Sequence, residues 1–243
     1  FVRGIHRQGA GHELGPVGHD ADRIPVEPGK PREDIPRKFG FDFQKVPVIH
    51  DPADHRFHVV GFSGIGRDQM FQAGVDPKNA IMCDSTDTLG SYRDDLESNP
   101  AKVEKWELCK MTNPENVRGG IPAAMKGADV VIALSTPGPG VIKPEWISDM
   151  ADDAIVFVCA NPVPEIFPWD AKDAGARIVA TGRSDFDNQV NNSLGFPGIF
   201  RGALDVRAKT ITDEMCLEAA RELARVAEDK GLRDDYIIPT MDE

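Results

Sequence analysis

Between Asp129 and Thr181 three short apolar runs follow one another: DVVIALS (Asp129–Ser135), AIVFVCA (Ala154–Ala160) and RIVAT (Arg177–Thr181). None alternates polar with apolar, and each is bounded by turn residues. That is the pattern of strands buried on both faces. Upstream, Phe57–Phe62 and Ala80–Asp84 repeat it. Helical candidates fill the gaps at Lys102–Met111, Ile121–Lys126, Pro144–Ala151 and Trp169–Ala174. Strand and helix alternate, so the expected fold is α/β, a doubly wound, mostly parallel sheet with helices on both faces. A further helix is expected over Asp213–Lys230. Thr212 is its N-cap, Asp213 and Glu214 suit the positive end of its dipole, and Gly231 stops it. Its apolar stripe, Met215, Ala219, Ala220, Leu223, Val226 and Ala227, marks it as a packing element.

The chain has 243 residues and a net charge of -12, with 26 Asp and 14 Glu among its 40 acids. No stretch supplies the basic face that a nucleic-acid partner needs. The apolar runs are too short to cross a bilayer, and the N-terminus lacks the pattern of a signal peptide. Cys83, Cys109, Cys159 and Cys216 form no C-x-x-C pair, so reduced thiols and a cytoplasmic setting are expected. Residues 1–55 are rich in Gly, Pro and His without periodicity, and all six histidines fall at or before His58. Metal binding by His6, His12, His19 and His50 fits no compact ligand spacing. The expected division is an irregular segment over 1–55 and a dinucleotide-binding domain over 56–243.

Val59-Val60-Gly61-Phe62-Ser63-Gly64-Ile65-Gly66 is a strand running into a glycine cluster. Gly61, Gly64 and Gly66 would let the backbone approach a pyrophosphate, as in a Rossmann-like fold. Asp84 ends the second strand 18 residues after Gly66, near the spacing of an acid that bonds ribose hydroxyls. Its charge would face a 2′-phosphate, so NAD is expected over NADP. The third glycine of the usual pattern is replaced by Gln69, and the following helix is short.

The loops after the later strands are STPGPG (Ser135–Gly140), ANPVPE (Ala160–Glu165), and TGRSD (Thr181–Asp185) followed by NQVNN (Asn188–Asn192). Ligands sit beyond the carboxyl ends of parallel strands, and neutral amides can hold a carboxylate or carboxamide without titrating. From about Asn79 to the C-terminus these loops closely resemble the cofactor domain of malic enzymes. ANPVPEI, NQVNN, FPGIFRGALD and the terminal DYIIPTMDE carry the resemblance. It implies oxidative decarboxylation of (S)-malate to pyruvate and CO2, with NAD or NADP and with Mg2+ or Mn2+. It places Asn161, Asn191 and Asn192 at the substrate and nicotinamide site, with Ser135 and Asn161 against the cofactor.

The upstream match is partial. VPVIHD (Val46–Asp51) resembles a segment that carries a metal-binding aspartate, and Glu33-Asp34 resembles the pair that supplies the other carboxylates. Glu33, Asp34 and Asp51 are therefore the candidate ligands of a hard divalent cation. Pro52 stands where a second aspartate is expected, and the spacings on both sides are short. The family's catalytic Tyr and Lys have no recognisable counterpart, so the general base and acid stay unassigned; Lys45 and Lys143 lack a matching context. A truncated or internally deleted malic enzyme fits these departures. So does a dinucleotide-binding module without turnover. An amino-acid dehydrogenase on the same sheet is argued against by ANPVPEI and NQVNN. The expected partner is malate, and a homo-oligomer is expected.

Overall fold

The computed structural model describes residues 57–60 and 69–243. Five strands form the sheet: β1 (Phe57–Val60), β2 (Ala80–Cys83), β3 (Val130–Ala133), β4 (Ile155–Val158) and β5 (Ile178–Thr181). All pairings are parallel, in the order β2-β1-β3-β4-β5. The chain leaves β1 for β2 on one side, then crosses back to place β3 on the other. The carboxyl end of β1 and β3 is therefore a topological switch point, where such sheets open a crevice for ligands.

Besides helical residues 69–72, the described residues form α1 (Asp94–Glu97), α2 (Val103–Met111), α3 (Gly120–Met125), α4 (Pro144–Ser148), α5 (Pro168–Asp173), α6 (Phe196–Asp205) and α7 (Asp213–Lys230). Side chains alternate across a strand, so neighbouring positions face different sides of the sheet. Val131, Ala133, Val156, Val158 and Val179 point to one face, where Ile142, Ile147, Met150, Ile166 and Ala171 cover them. Ile81 and Cys83 pack with Ala124 of α3. Met82 faces the other way, into a core with Leu89, Leu96, Leu108 and Cys109, against which Ile132 also packs. β2 and β5 are buried at every position, as continuous apolar runs require.

The five expected strands all form, and β2 to β5 are each trimmed by a residue or two at one or both ends. The helix after the glycine cluster is seen only over residues 69–72. Helix α7 matches its expected limits: Thr212 Oγ1 accepts from the Met215 N–H, and Gly231 ends it at φ 90°. Its stripe is shallower than the periodicity implies, since only Ala227 is fully buried. Helix α6 was not anticipated. It carries Phe196, Phe200 and Leu204 at helical spacing, 53%, 55% and 71% exposed. No helix among the described residues is long and apolar enough to cross a membrane.

Candidate functional site

The strand register aligns the carboxyl ends. Val60 pairs with Cys83 and with Ala133, Ala133 with Val158, and Val158 with Thr181. The segments that follow, starting at Asp84, Leu134, Cys159 and Gly182, therefore emerge along one edge. Sequence reading named Asp84, Ser135 and Asn161 there, and the topology brings them to that edge. Gly61, Gly64 and Gly66 lie outside the described residues, as do Glu33, Asp34 and Asp51. Among the described residues no cluster of three His, Cys, Asp or Glu side chains could hold a metal ion.

Asp84 is not the free carboxylate that the ribose and 2′-phosphate arguments assume. Its side chain is 5% exposed. Oδ1 accepts from the Thr86 N–H at 2.9 Å, the Asp87 N–H at 3.2 Å and Arg93 Nη1 at 3.1 Å. Oδ2 accepts from Arg93 Nη2 at 3.3 Å and Lys105 Nζ at 2.9 Å. A carboxylate offers about four lone-pair sites, so these five donors use all its capacity. Burial alone would raise its pKa; the hydrogen bonds from Arg93, Lys105 and the two amides outweigh burial and hold it well below the ordinary carboxylate range. Arg93 is raised in turn, first by Asp95 and then by Asp84. The local negative charge is thus largely neutralised, which corrects the simple repulsion argument.

Asn161 and Asn191 meet at Gly182. A Cβ on Gly182 would lie 3.0 Å from Asn161 Nδ2 and 3.1 Å from the Cys159 carbonyl oxygen. Asn191 Nδ2 donates to the Gly182 carbonyl at 2.9 Å, and its Oδ1 accepts from the Ser193 N–H at 3.0 Å. The loops after β4 and β5 pack closely at Gly182, and Arg183 Nη1 donates to the Pro162 carbonyl between them at 3.0 Å. Asn192 opens the next 3-10 turn and is exposed. Gly182 escaped sequence reading because nothing in the pattern distinguishes a glycine needed for close approach from one in a turn. Gly182→Ala should push the Asn161 carboxamide aside and cost about 1–3 kcal/mol through overpacking. Thermal melting and NADH titration check this; unchanged values in both would show that Asn161 needs no clear space at Gly182.

Two other buried polar residues were missed. Glu165 is 0% exposed and bridges the loops after β3 and β4. Asn188, 4% exposed, donates to the Val179 and Asp234 carbonyls and accepts from the Ile237 N–H. The cysteines are all free. Burial first, then nearby carboxylates, push the thiols of Cys83 and Cys159 up to about 12. Both are protonated at neutral pH and unsuited to nucleophilic chemistry.

Comparison with known proteins agrees with this architecture. Residues 75–243 match the family described as malic enzyme, NAD binding domain. An NAD-dependent malic enzyme of Geobacillus stearothermophilus is 44% identical over 184 residues, covering 75% of this chain and 36% of that protein. An NADP-dependent malic enzyme of Halomonas elongata is 41% identical over 182 residues, covering 69% of this chain and 40% of that protein. The crystal structure of Entamoeba histolytica malic enzyme superposes with a TM-score of 0.75 at 52% identity, covering 80% of this chain and 40% of that one. This chain thus spans about two-fifths of the length of these relatives. From the parallel sheet, the loops along its carboxyl edge and these matches together, the chain belongs to the malic enzyme family, with residues 75–243 forming its NAD-binding domain.

Proposed function

We propose that this chain binds a nicotinamide dinucleotide along the carboxyl edge of the sheet and contributes that domain to the oxidative decarboxylation of (S)-malate to pyruvate and CO2. The observation that carries the reading is the meeting of Asn161 and Asn191 at Gly182, on the edge where the strand ends align. The missing Cβ at Gly182 lets the Asn161 carboxamide pack close against the loop after β5, which fixes that neutral donor at the strand-end edge. The bound dinucleotide supplies the hydride acceptor for C2 of malate. Asn161, Asn191 and the neighbouring Asn192 supply neutral donors for a carboxylate or carboxamide, which avoids burying an unpaired charge. Ser135, Asn161, Gly61, Gly64 and Gly66 are the residues that would hold the cofactor, the glycines at its pyrophosphate.

The cofactor of this reading is NAD. The basis is not the bare charge of Asp84 but the commitment of its neighbours. Arg93 and Lys105, the cations paired with Asp84, are held by that carboxylate, leaving neither disposed toward a 2′-phosphate. Glu33, Asp34 and Asp51 would hold the cation of this reading, Mg2+ or Mn2+, as hard carboxylate ligands. No proton transfer is assigned to a described residue. Lys143 is exposed and sits over the Trp146 ring, 5.3 Å from its centroid.

Measuring NADH formation with malate and Mn2+ tests the activity, and titrating NADH against NADPH tests the cofactor. Tighter NADPH binding would overturn the NAD assignment. A second reading is a dinucleotide-binding module without turnover. NADH binding with no malate-dependent turnover would select it. Asn192→Ala should remove one or two hydrogen bonds to a charged partner, worth about 1.5–3 kcal/mol each. The loss should appear in malate affinity, read from KM or equilibrium binding, with NAD binding nearly unchanged. Normal malate affinity in the variant would refute the role of Asn192.

A further inference from the structure

Glu165 is a carboxylate with no solvent exposure, and among the described residues its partners are hydrogen-bond donors rather than a cation. Oε1 accepts from the Ser135 N–H at 2.8 Å and from Ser135 Oγ at 3.1 Å. Oε2 accepts from the Ala160 N–H at 3.1 Å. Backbone bonds already join the same two loops: Gly140 and Ile142 donate to the Glu165 carbonyl, and Gly138 donates to the Val163 carbonyl. Joining the loops therefore does not by itself require a buried carboxylate, which is costly to desolvate. The side chain adds a fixed position for Ser135 and for Ala160, the residue before Asn161.

We infer that Glu165 is a positioning residue for the nicotinamide half of the cofactor, an inference that rests on the dinucleotide reading above. Each carboxylate oxygen anchors a different strand end, Ser135 after β3 and Ala160 after β4. Asp84 follows β2, three strand spacings from β4 in the order β2-β1-β3-β4. At the usual interstrand distance that is roughly 14 Å. The adenosine half belongs on the β2 side, so Glu165 acts on one half of the ligand only. Glutamine has nearly the same shape, but its one carbonyl oxygen can satisfy only one of the two loops. Its amide NH2 then faces the N–H of the other, so Ser135 or Ala160 loses its fixed position while the backbone bonds still join the loops.

The test uses the full 243-residue chain, with NADH and AMP as probes. Glu165→Gln should weaken NADH binding by about tenfold or more, the value of one hydrogen bond to a charged group. It should blunt the fluorescence change of the bound nicotinamide and leave AMP affinity within about twofold. A merely structural role would weaken both ligands alike along with a fall in Tm, and that result overturns the inference, as does unchanged NADH binding. Should the variant fail to fold, hydrogen exchange on the unmodified chain decides. The Ser135 and Ala160 amides should be protected before any nucleotide is added; protection that appears only with NADH would show that Glu165 does not pre-set the loops. A wild-type chain that binds AMP and NADH while Glu165→Gln binds both normally removes only this inference. A wild-type chain that binds neither removes the dinucleotide reading itself.

Discussion

Replacing Arg93 with alanine is expected to destabilise the fold by about 3–5 kcal/mol, because it breaks a buried ion pair and leaves one partner behind. Arg93 and Asp84 are each 5% exposed at the side chain and meet through two hydrogen bonds. Alanine would leave the Asp84 carboxylate with Lys105 as its remaining cationic partner, at 2.9 Å. The Arg93 guanidinium also contacts Asp95 and the Thr88 carbonyl, so it ties the turn after β2 to the start of α1. The pH dependence has a definite sign. The folded-state pKa of Asp84 is depressed below its unfolded value, about 3.9 for an aspartate. Its contribution is thus fully present above that value and is lost as pH falls through the lower folded one. Urea unfolding at pH 7 should show the deficit in Arg93→Ala. Below about pH 4 the wild type should begin to lose the same contribution, narrowing the gap between the two proteins. A deficit under about 1 kcal/mol at pH 7, the range of an exposed pair, would show that the pair is solvated in solution.

Asn188→Ala is the second large effect, expected at about 3–5 kcal/mol from groups left without partners at about 1–3 kcal/mol each. The Asn188 carboxamide donates to the Val179 carbonyl at 3.2 Å and to the Asp234 carbonyl at 2.9 Å, and accepts from the Ile237 N–H at 2.9 Å. It thus fastens the chain after α7 to the edge strand β5. Its backbone lies at φ 52°, a region that asparagine tolerates better than alanine, which adds to the cost. The loss should concentrate in the C-terminal segment. Hydrogen exchange at the Ile237 amide should rise sharply, while amides of β3 and β4 report only the global change. Asn188→Asp keeps the acceptor for Ile237 but sets a carboxylate against two carbonyls, so it should not rescue stability. An Ile237 amide that stays protected in Asn188→Ala would mean that another contact holds the segment.

Sequence periodicity was sufficient for the strands because each leaves a continuous apolar run that local pattern alone can register, and β2 and β5 are buried on both faces. Helix α7 was legible for a similar reason, its capping residues and helical stripe being local. Helix α6 was not. It begins Phe196-Pro197-Gly198 and contains Gly202, residues that read as turn formers. Proline is tolerated in its first turn, where an N–H would have no helical partner. The Asn-rich loops were legible as a group through their resemblance to malic enzymes, but the roles of individual side chains were not.

Composition and short-range pattern by themselves determined an α/β chain with a parallel sheet, and they directed attention to the loops beyond the strand ends. Tertiary structure alone decided that Asp84 is spent on Arg93 and Lys105 rather than left open, that Asn161 and Asn191 share Gly182, and that Glu165 locks two loops. The physical reason is range. Periodicity and capping act over a few residues, whereas Ser135 and Glu165 are separated by 30 positions and Asn188 and Ile237 by 49. Such contacts form only after the sheet has aligned its strand ends, and a buried polar group reveals its purpose only through the partner that satisfies it.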